Sequence, residues 1–291
     1  MQREPAPSVA ASATVAEASG AIGRGWAAPP LRLDLMSIFI VPGIVFALFV
    51  AVPLAALVFR AAQSGDILDS LQKPIVRDAL RLSMVTSLFT LGLAVLLGTP
   101  LAYLLARSDF PGKQVVDTLI DLPIVLPPVV AGVALLMAFG RRGVFGDELG
   151  TLGIELAFTW KAVVVAQLFV SAPFYIRAAK AGFQSIDIAF EQMAYTLGAS
   201  RLRTFLRITL PLALPAVVGG MVLCWARALS EFGATMLFAG SFRGTTQTMP
   251  LAIMSAMESD LYAALSISVI LLAVSFVTLL LFRIGGRGVR L

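Results

Sequence analysis

The chain has 291 residues, 58% of them hydrophobic and only 13% charged, where a soluble domain carries about 25% charged residues. It has no histidine and a single cysteine, Cys224, which excludes a disulfide within the chain and argues against a Cys/His metal site. The formal net charge is +5, but the apolar residues fall in long blocks, so the distribution of charge along the chain carries more information than its sum.

Residues 1–34 are rich in Ala, Ser, Pro and Gly, lack helical periodicity, and lack the apolar core and small-residue cleavage site of a secretory signal. A disordered tail is expected there, followed by a transmembrane domain over 35–291. Apolar blocks then recur at Met36–Phe59, Leu82–Ala106, Thr118–Phe139, Phe158–Ile176, Ile208–Ala226 and Leu261–Phe282. Each is close to the ~20 residues a helix needs to cross ~30 Å of hydrocarbon. None alternates as a barrel strand does. The expectation is an all-α integral membrane protein with six transmembrane helices. Cys224, inside the fifth block, reads as a small packing residue.

With both termini in the cytoplasm, the inner segments carry 13 Lys and Arg and the outer ones 8, as the positive-inside bias requires. That orientation makes 177–207 the longest cytoplasmic loop. Pro127, Pro128 and Pro215 lie too deep in their spans for the first helical turn and are expected to kink or loosen the third and fifth helices. Asp121, near the start of the third span, reads as a cap or snorkelling carboxylate. The nine residues after Phe282 are expected to hold no regulatory domain.

Within the long loop, Phe190, Met193, Ala194 and Leu197 follow the i, i+3, i+4, i+7 pattern of one helical face. Asp187 is placed to cap that helix, and Gly198 to end it with a positive φ. A second amphipathic piece sets Leu202, Phe205 and Leu206 against Arg201, Arg203 and Arg207, and Pro211 opens the fifth span. Two readings fit: a helix lying on lipid headgroups, or a docking helix for a cytosolic partner.

The stretch from Glu191 to Pro211 resembles the cytoplasmic loop signature of ABC-importer permeases: a turn of acidic and small residues, a glycine, nine residues, then Ile-x-Leu-Pro. Here these are Ala194, Gly198 and, nine residues on, Ile208, Thr209, Leu210 and Pro211. Gln192-Met193-Ala194 stands where the general signature has Glu-Ala-Ala, with Glu191 one place earlier. The resemblance implies the binding-protein-dependent permease fold with its core over 82–283. It makes 177–207 the loop that couples to the ATPase, through Asp187, Glu191, Gln192, Ala194, Leu197, Gly198, Ala199, Ile208, Leu210 and Pro211. The stretches Phe139–Gly146, Trp225–Gly240 and Arg243–Ile253 look like the molybdate/tungstate permease subfamily, which is close to the sulfate/thiosulfate permeases.

Arg227 and Glu231 are four apart and are expected to share a face of the fifth helix, either as a structural ion pair or as part of a path for a dianion. Gly233 and Gly240 would let backbones approach, and the hydroxyls of Thr235, Thr245, Thr246 and Thr248 would suit oxyanion oxygens. Arg141 and Arg142 form either a cationic rim at the outer mouth or a plain solvated turn.

The resulting expectation is the permease subunit of an ATP-driven inner-membrane importer for molybdate or tungstate, working by alternating access. The alternatives are a sulfate/thiosulfate permease or an ion-coupled secondary carrier. No stretch resembles a nucleotide-binding loop, so hydrolysis would fall to a separate ATPase and this chain is read as no enzyme. A periplasmic binding protein, a second copy of the chain and membrane lipid complete the expected partners. No cofactor, metal or nucleic acid is expected on this chain.

Overall fold

The computed structural model describes residues 33–64 and 67–287; every regular element in that range is a helix. The tail expected over 1–34 lies outside the described residues as far as residue 32. The helices are α1 (Leu33–Ser64), α2 (Ile67–Gln72), α3 (Pro74–Arg107), α4 (Lys113–Val125), α5 (Pro128–Phe139), α6 (Gly146–Thr151), α7 (Trp160–Gln184), α8 (Ile188–Thr196), α9 (Arg201–Thr204), α10 (Leu210–Leu229), α11 (Gly233–Phe238), α12 (Met249–Ser259) and α13 (Leu261–Arg287). A π-helical turn, Phe205–Thr209, joins α9 to α10. Contacts divide the chain into two units after Ala56, and the site lies in the unit that begins at Leu57.

Five helical stretches among the described residues are long and apolar enough to cross a membrane, and six if α4 and α5 together make one span. The third expected span, Thr118–Phe139, is therefore not one helix. It breaks at Leu126–Pro127 and turns by 119°. Leu126 precedes a proline and is pushed out of the helical region, to ψ 133; Pro127 follows at ψ 135. The second proline, Pro128, then opens α5, where its missing N–H costs nothing. At Pro215, by contrast, α10 continues without interruption of the helix. The fourth helix continues to Gln184, so residues 177–184 of the expected loop belong to α7.

The long helix α7 is the centre of the bundle. In its most apolar stretch 61% of residues are buried, against 33% for α3 and for the span ending in α10. The reason lies in small side chains. A Cβ on Gly182 of α7 would stand 2.5 Å from the Ala216 Cβ of α10, and one on Gly220 of α10 would stand 2.8 Å from the Ala178 Cβ of α7. On the other flank a Cβ on Gly98 of α3 would come within 3.0 Å of Ile176 and Tyr175. Lipid tails are as apolar as leucine, so close backbone packing of this kind holds membrane helices together. Around it a core of Leu91, Ala94, Tyr175, Ala179, Cys224 and Trp225 closes. Cys224 is thus a buried packing residue, its Sγ 3.5 Å from the Ser171 hydroxyl.

Two smaller clusters flank this core. One joins α5, α7 and α11 through Ala131, Leu135, Val163, Ala234 and Phe238. The other joins α3, α12 and α13 through Val76, Met249, Ala252 and Ile267. Gly182→Leu should separate α7 from α10 and cost about 1–3 kcal/mol or more by overpacking, lowering the thermal transition of the purified protein. Gly219→Leu, on α10 with open space at its Cβ position, should leave that transition nearly unchanged.

Candidate functional site: the anchored loop helix

The loop after α7 is built by local capping. Asp187 Oδ1 accepts the Ala189 N–H at 2.9 Å and starts α8. Gly198, at φ +80, ends it: the Gly198 N–H reaches the Tyr195 carbonyl and the Ala199 N–H the Ala194 carbonyl. Ser200 Oγ accepts the Arg203 N–H and starts α9. In the π turn the Leu210 N–H bonds the Phe205 carbonyl five residues back, and Pro211 follows in the first turn of α10.

A nine-residue helix does not hold itself together in water. What holds α8 is Glu191, a residue only 3% exposed. Its Oε1 accepts from Arg107 Nε at 3.0 Å and from the Thr209 hydroxyl at 2.9 Å, and its Oε2 from the Tyr103 hydroxyl at 3.1 Å. Arg107 also donates through Nη2 to the Ile186 carbonyl at 3.0 Å. One carboxylate therefore ties α8 to the end of α3, to the π turn that leads into α10, and to the link from α7. Tyr103, which bonds this carboxylate, meets Phe183 and Phe205 edge-on with centroids 5.6 and 4.9 Å away. This aromatic wall lowers the local dielectric, which strengthens the pair and makes an orphaned partner costly.

The expected apolar face of α8 stands mostly uncovered in this arrangement. Of Phe190, Met193, Ala194 and Leu197, only Ala194 is buried, beside Glu191. Phe190 is 48% exposed, Met193 54% and Leu197 88%. They form a stripe roughly 100° round the helix from the buried side. A carboxylate with three side-chain donors waiting for it outcompetes thioether and aromatic groups for the inward position. Gln192 and Pro211 are exposed, while Ala199, Ile208 and Leu210 are half-buried. The sequence reading missed Arg107, Tyr103 and Thr209. Arg107 did leave a signal, as the lone cation closing the second apolar block.

The second candidate group is only partly brought together. Arg227 and Glu231 do pair, Nη2 to Oε2 at 2.7 Å, with an approach too oblique for a hydrogen bond. They do not share a helix, because α10 ends at Leu229. Glu231 is 1% exposed and its Oε1 accepts the Ala234 N–H at 2.8 Å, opening α11. Gly233 has no room for a side chain, since a Cβ there would stand 2.7 Å from the Pro128 Cβ. The turn at Glu231 thus abuts the break that opens α5. Thr235 is buried in the apolar cluster of α5, α7 and α11.

Arg141 lies instead in the turn after α5 and pairs with Glu155 at 3.0 Å, both well exposed. The Thr246 hydroxyl serves the loop itself, donating to the Gly240 carbonyl and accepting the Phe242 N–H. Thr248 is buried and precedes α12, and Thr245 is exposed. Asp121 pairs with Arg177 of α7 at 2.9 Å, and Asp117 with Lys180, around a cavity of about 540 Å³ between α4 and α7. Among the described residues no three His, Cys, Asp or Glu side chains group as metal ligands would.

Fold and site together define a membrane-embedded transport subunit: a helical bundle that carries a short, rigidly anchored helix in a polar loop. The chain belongs to the family of binding-protein-dependent transport system inner membrane components, whose model matches residues 94–291. It is 42% identical over 254 residues to the molybdenum transport system permease protein ModB of Mycobacterium tuberculosis, covering 87% of this chain and 95% of that one. It is 43% identical over 192 residues to the molybdate/tungstate transport system permease protein WtpB of Thermococcus kodakarensis, covering 66% and 72%. A solved bacterial alginate ABC transporter, in complex with an alginate pentasaccharide-bound periplasmic protein, shares the fold. Its TM-score is 0.71 at 19% identity, over 85% of this chain and 92% of that one.

Glu191→Gln should leave the Arg107 guanidinium buried without its counter-charge and cost about 3–5 kcal/mol, read as a lower thermal transition and faster proteolysis at 187–207. Glu191→Gln combined with Arg107→Met should recover part of that loss.

Proposed function

We propose that this chain is the permease subunit of an ATP-driven importer for molybdate or tungstate in the inner membrane, working by alternating access. The observation that carries the coupling half of this reading is α8. One face of it is fixed by Glu191 to α3 and to the π turn that leads into α10, while Phe190, Met193 and Leu197 stand uncovered. Such a helix suits a cleft in a cytosolic ATPase subunit, which would supply the hydrolysis this chain has no nucleotide loop to perform. A docked ATPase shifts the inward/outward equilibrium only by binding α8 better in one state than in the other. Because Glu191 holds Arg107 and Thr209, a displacement of α8 would reach α3 and α10 together.

The substrate half rests on likeness. The relatives that are 42–43% identical are named for molybdenum, molybdate and tungstate transport. That favours these oxyanions over the sulfate and thiosulfate alternative. Arg227 is proposed to face the path beside the α4–α5 break and supply positive potential to a dianion, with Glu231 holding the guanidinium in place and Gly233 and Thr235 packed behind the pair. Arg141 is proposed as an outer-mouth residue whose charge Glu155 moderates. A homodimer would place that path on a two-fold axis. A periplasmic protein would deliver substrate, as one does in the alginate transporter complex. Both termini, and α8 with them, are placed in the cytoplasm by the charge bias.

The test is reconstitution with the cognate ATPase and binding protein. Molybdate should stimulate hydrolysis and uptake; a response to sulfate alone would overturn the substrate assignment. For coupling, Leu197→Glu changes the most exposed of the three apolar residues at little cost to folding. It should reduce ATPase co-purification and transport at least tenfold with an unchanged thermal transition. Normal transport by that variant would remove α8 from the coupling role.

A further inference from the structure

We propose that a cavity at the far end of α3 from α8 is a binding site for a tetrahedral oxyanion. The cavity holds about 230 Å³, opens to the surface where Lys73 and Arg243 are exposed, and is lined by α2, the start of α3, the loop before α12, α12 and the start of α13. Its floor is apolar, with Val76, Ala252 and Ile267 from the cluster that joins α3, α12 and α13. Its polar lining is Ser70, Lys73, Arg243, Ser255, Ser259 and Asp260. Val76 and Tyr103 lie 27 positions apart on one continuous helix, about 40 Å at ~1.5 Å per residue. The cavity thus sits across the membrane from the Glu191 anchor, a separation that exceeds the ~30 Å hydrocarbon layer.

Three observations point to an anion. Lys73 and Arg243 line the same small space, and neither forms an ion pair among the described residues. Ser70 is 0% exposed, and its hydroxyl has no hydrogen-bond partner, an expensive state for a buried donor. Ser255 Oγ accepts from Gln247 Nε2 at 3.2 Å, which leaves its own O–H to donate. The opposing charge, Asp260, is partly committed: its Oδ1 accepts the Tyr262 and Ala263 N–H groups that open α13. Two cations against one carboxylate leave a net positive site. Ammonium, guanidinium and hydroxyl donors round one space are what a tetrahedral oxyanion's oxygens take, through charge-assisted bonds. At about 30 Å³ per water, the volume admits such an ion with several waters and excludes a large organic anion.

The choice of oxyanion rests on the function proposed above; the binding itself does not require transport. The same chemistry has two sources, a free oxyanion on its way to the path or the phosphate of a lipid headgroup, and the test separates them. The full-length chain assembled with its ATPase is purified in phosphate-free maltoside micelles and titrated with molybdate, with sulfate and chloride as controls. Saturable oxyanion binding is expected. It should weaken at least tenfold in the Lys73→Met/Arg243→Gln variant and several-fold in Ser70→Ala, without loss of the thermal transition. Native mass spectrometry reads the second source: a phospholipid retained by the wild type and lost from the double variant equally supports the site. A complex that takes up neither ligand, or a double variant that binds like the wild type, would overturn it. A transporter that imports sulfate but not molybdate, yet loses sulfate binding in the double variant, would sink the molybdate reading and leave the cavity site standing.

Discussion

One buried carboxylate sets the geometry on which the loop depends. Without Glu191, α8 would be nine residues of marginal helix between two flexible links. With it, the helix becomes a rigid projection of the bundle, bonded to Arg107 and Tyr103 at the end of α3 and to Thr209 in the π turn below α10. Arg107 adds the Ile186 carbonyl, so the link leaving α7 is held by the same guanidinium. Three spans converge on one pair of charges. A buried pair of this kind adds little net stability compared with apolar packing, but it is directional, and losing either member is expensive. That combination suits a joint that must keep its register while its surroundings move.

Stiff and soft places alternate along the chain in a consistent way. The contact of α7 with α3 and α10 is stiff, since Gly98, Gly182 and Gly220 leave no space for relative sliding without collision. The soft places are the two interruptions, Leu126–Pro127 between α4 and α5 and Ser230–Phe232 between α10 and α11. These interruptions meet, because Gly233 packs on Pro128. Non-helical backbone at membrane depth persists only where protein or a water-filled space satisfies it. Here Glu231 supplies part of that satisfaction through the Ala234 N–H. The half-span α4 is held to α7 by Asp117 with Lys180 and Asp121 with Arg177, polar contacts that admit more rearrangement than the glycine seams do.

What was legible in the sequence follows from how local its cause is. Apolar runs, the Asp187 cap and the Gly198 stop each act within a few residues, and the helices fall where those signals put them. The prolines at 127 and 128 announced a disturbance, but its size of 119° depends on what α5 packs against, which is α11. The partners of Glu191 were not legible because they are distant, Arg107 84 positions away and Tyr103 88. Arg227 and Glu231 misled in the opposite sense: the i, i+4 spacing was right and the pair exists, yet the helix had already ended. Pro215 shows that a proline inside a span need not interrupt its helix.

The uncovered face of α8 carries the strongest lesson. Periodicity marks a stripe as apolar, and the usual inference is that the stripe is buried in its own chain. Here the polar residue went in and Phe190, Met193 and Leu197 stayed out. Local rules fail in this way where a surface is kept for something other than folding. Met193 fits the same logic. At a site tight enough to demand alanine, a thioether would collide. On an uncovered stripe it adds a flexible, polarizable contact that can adapt as a partner changes shape. The small residue that close packing does require is Ala194, one position on, and it is the one that is buried. The loop thus separates its two tasks by face, a carboxylate and an alanine for attachment to the bundle, and large soft side chains left for recognition.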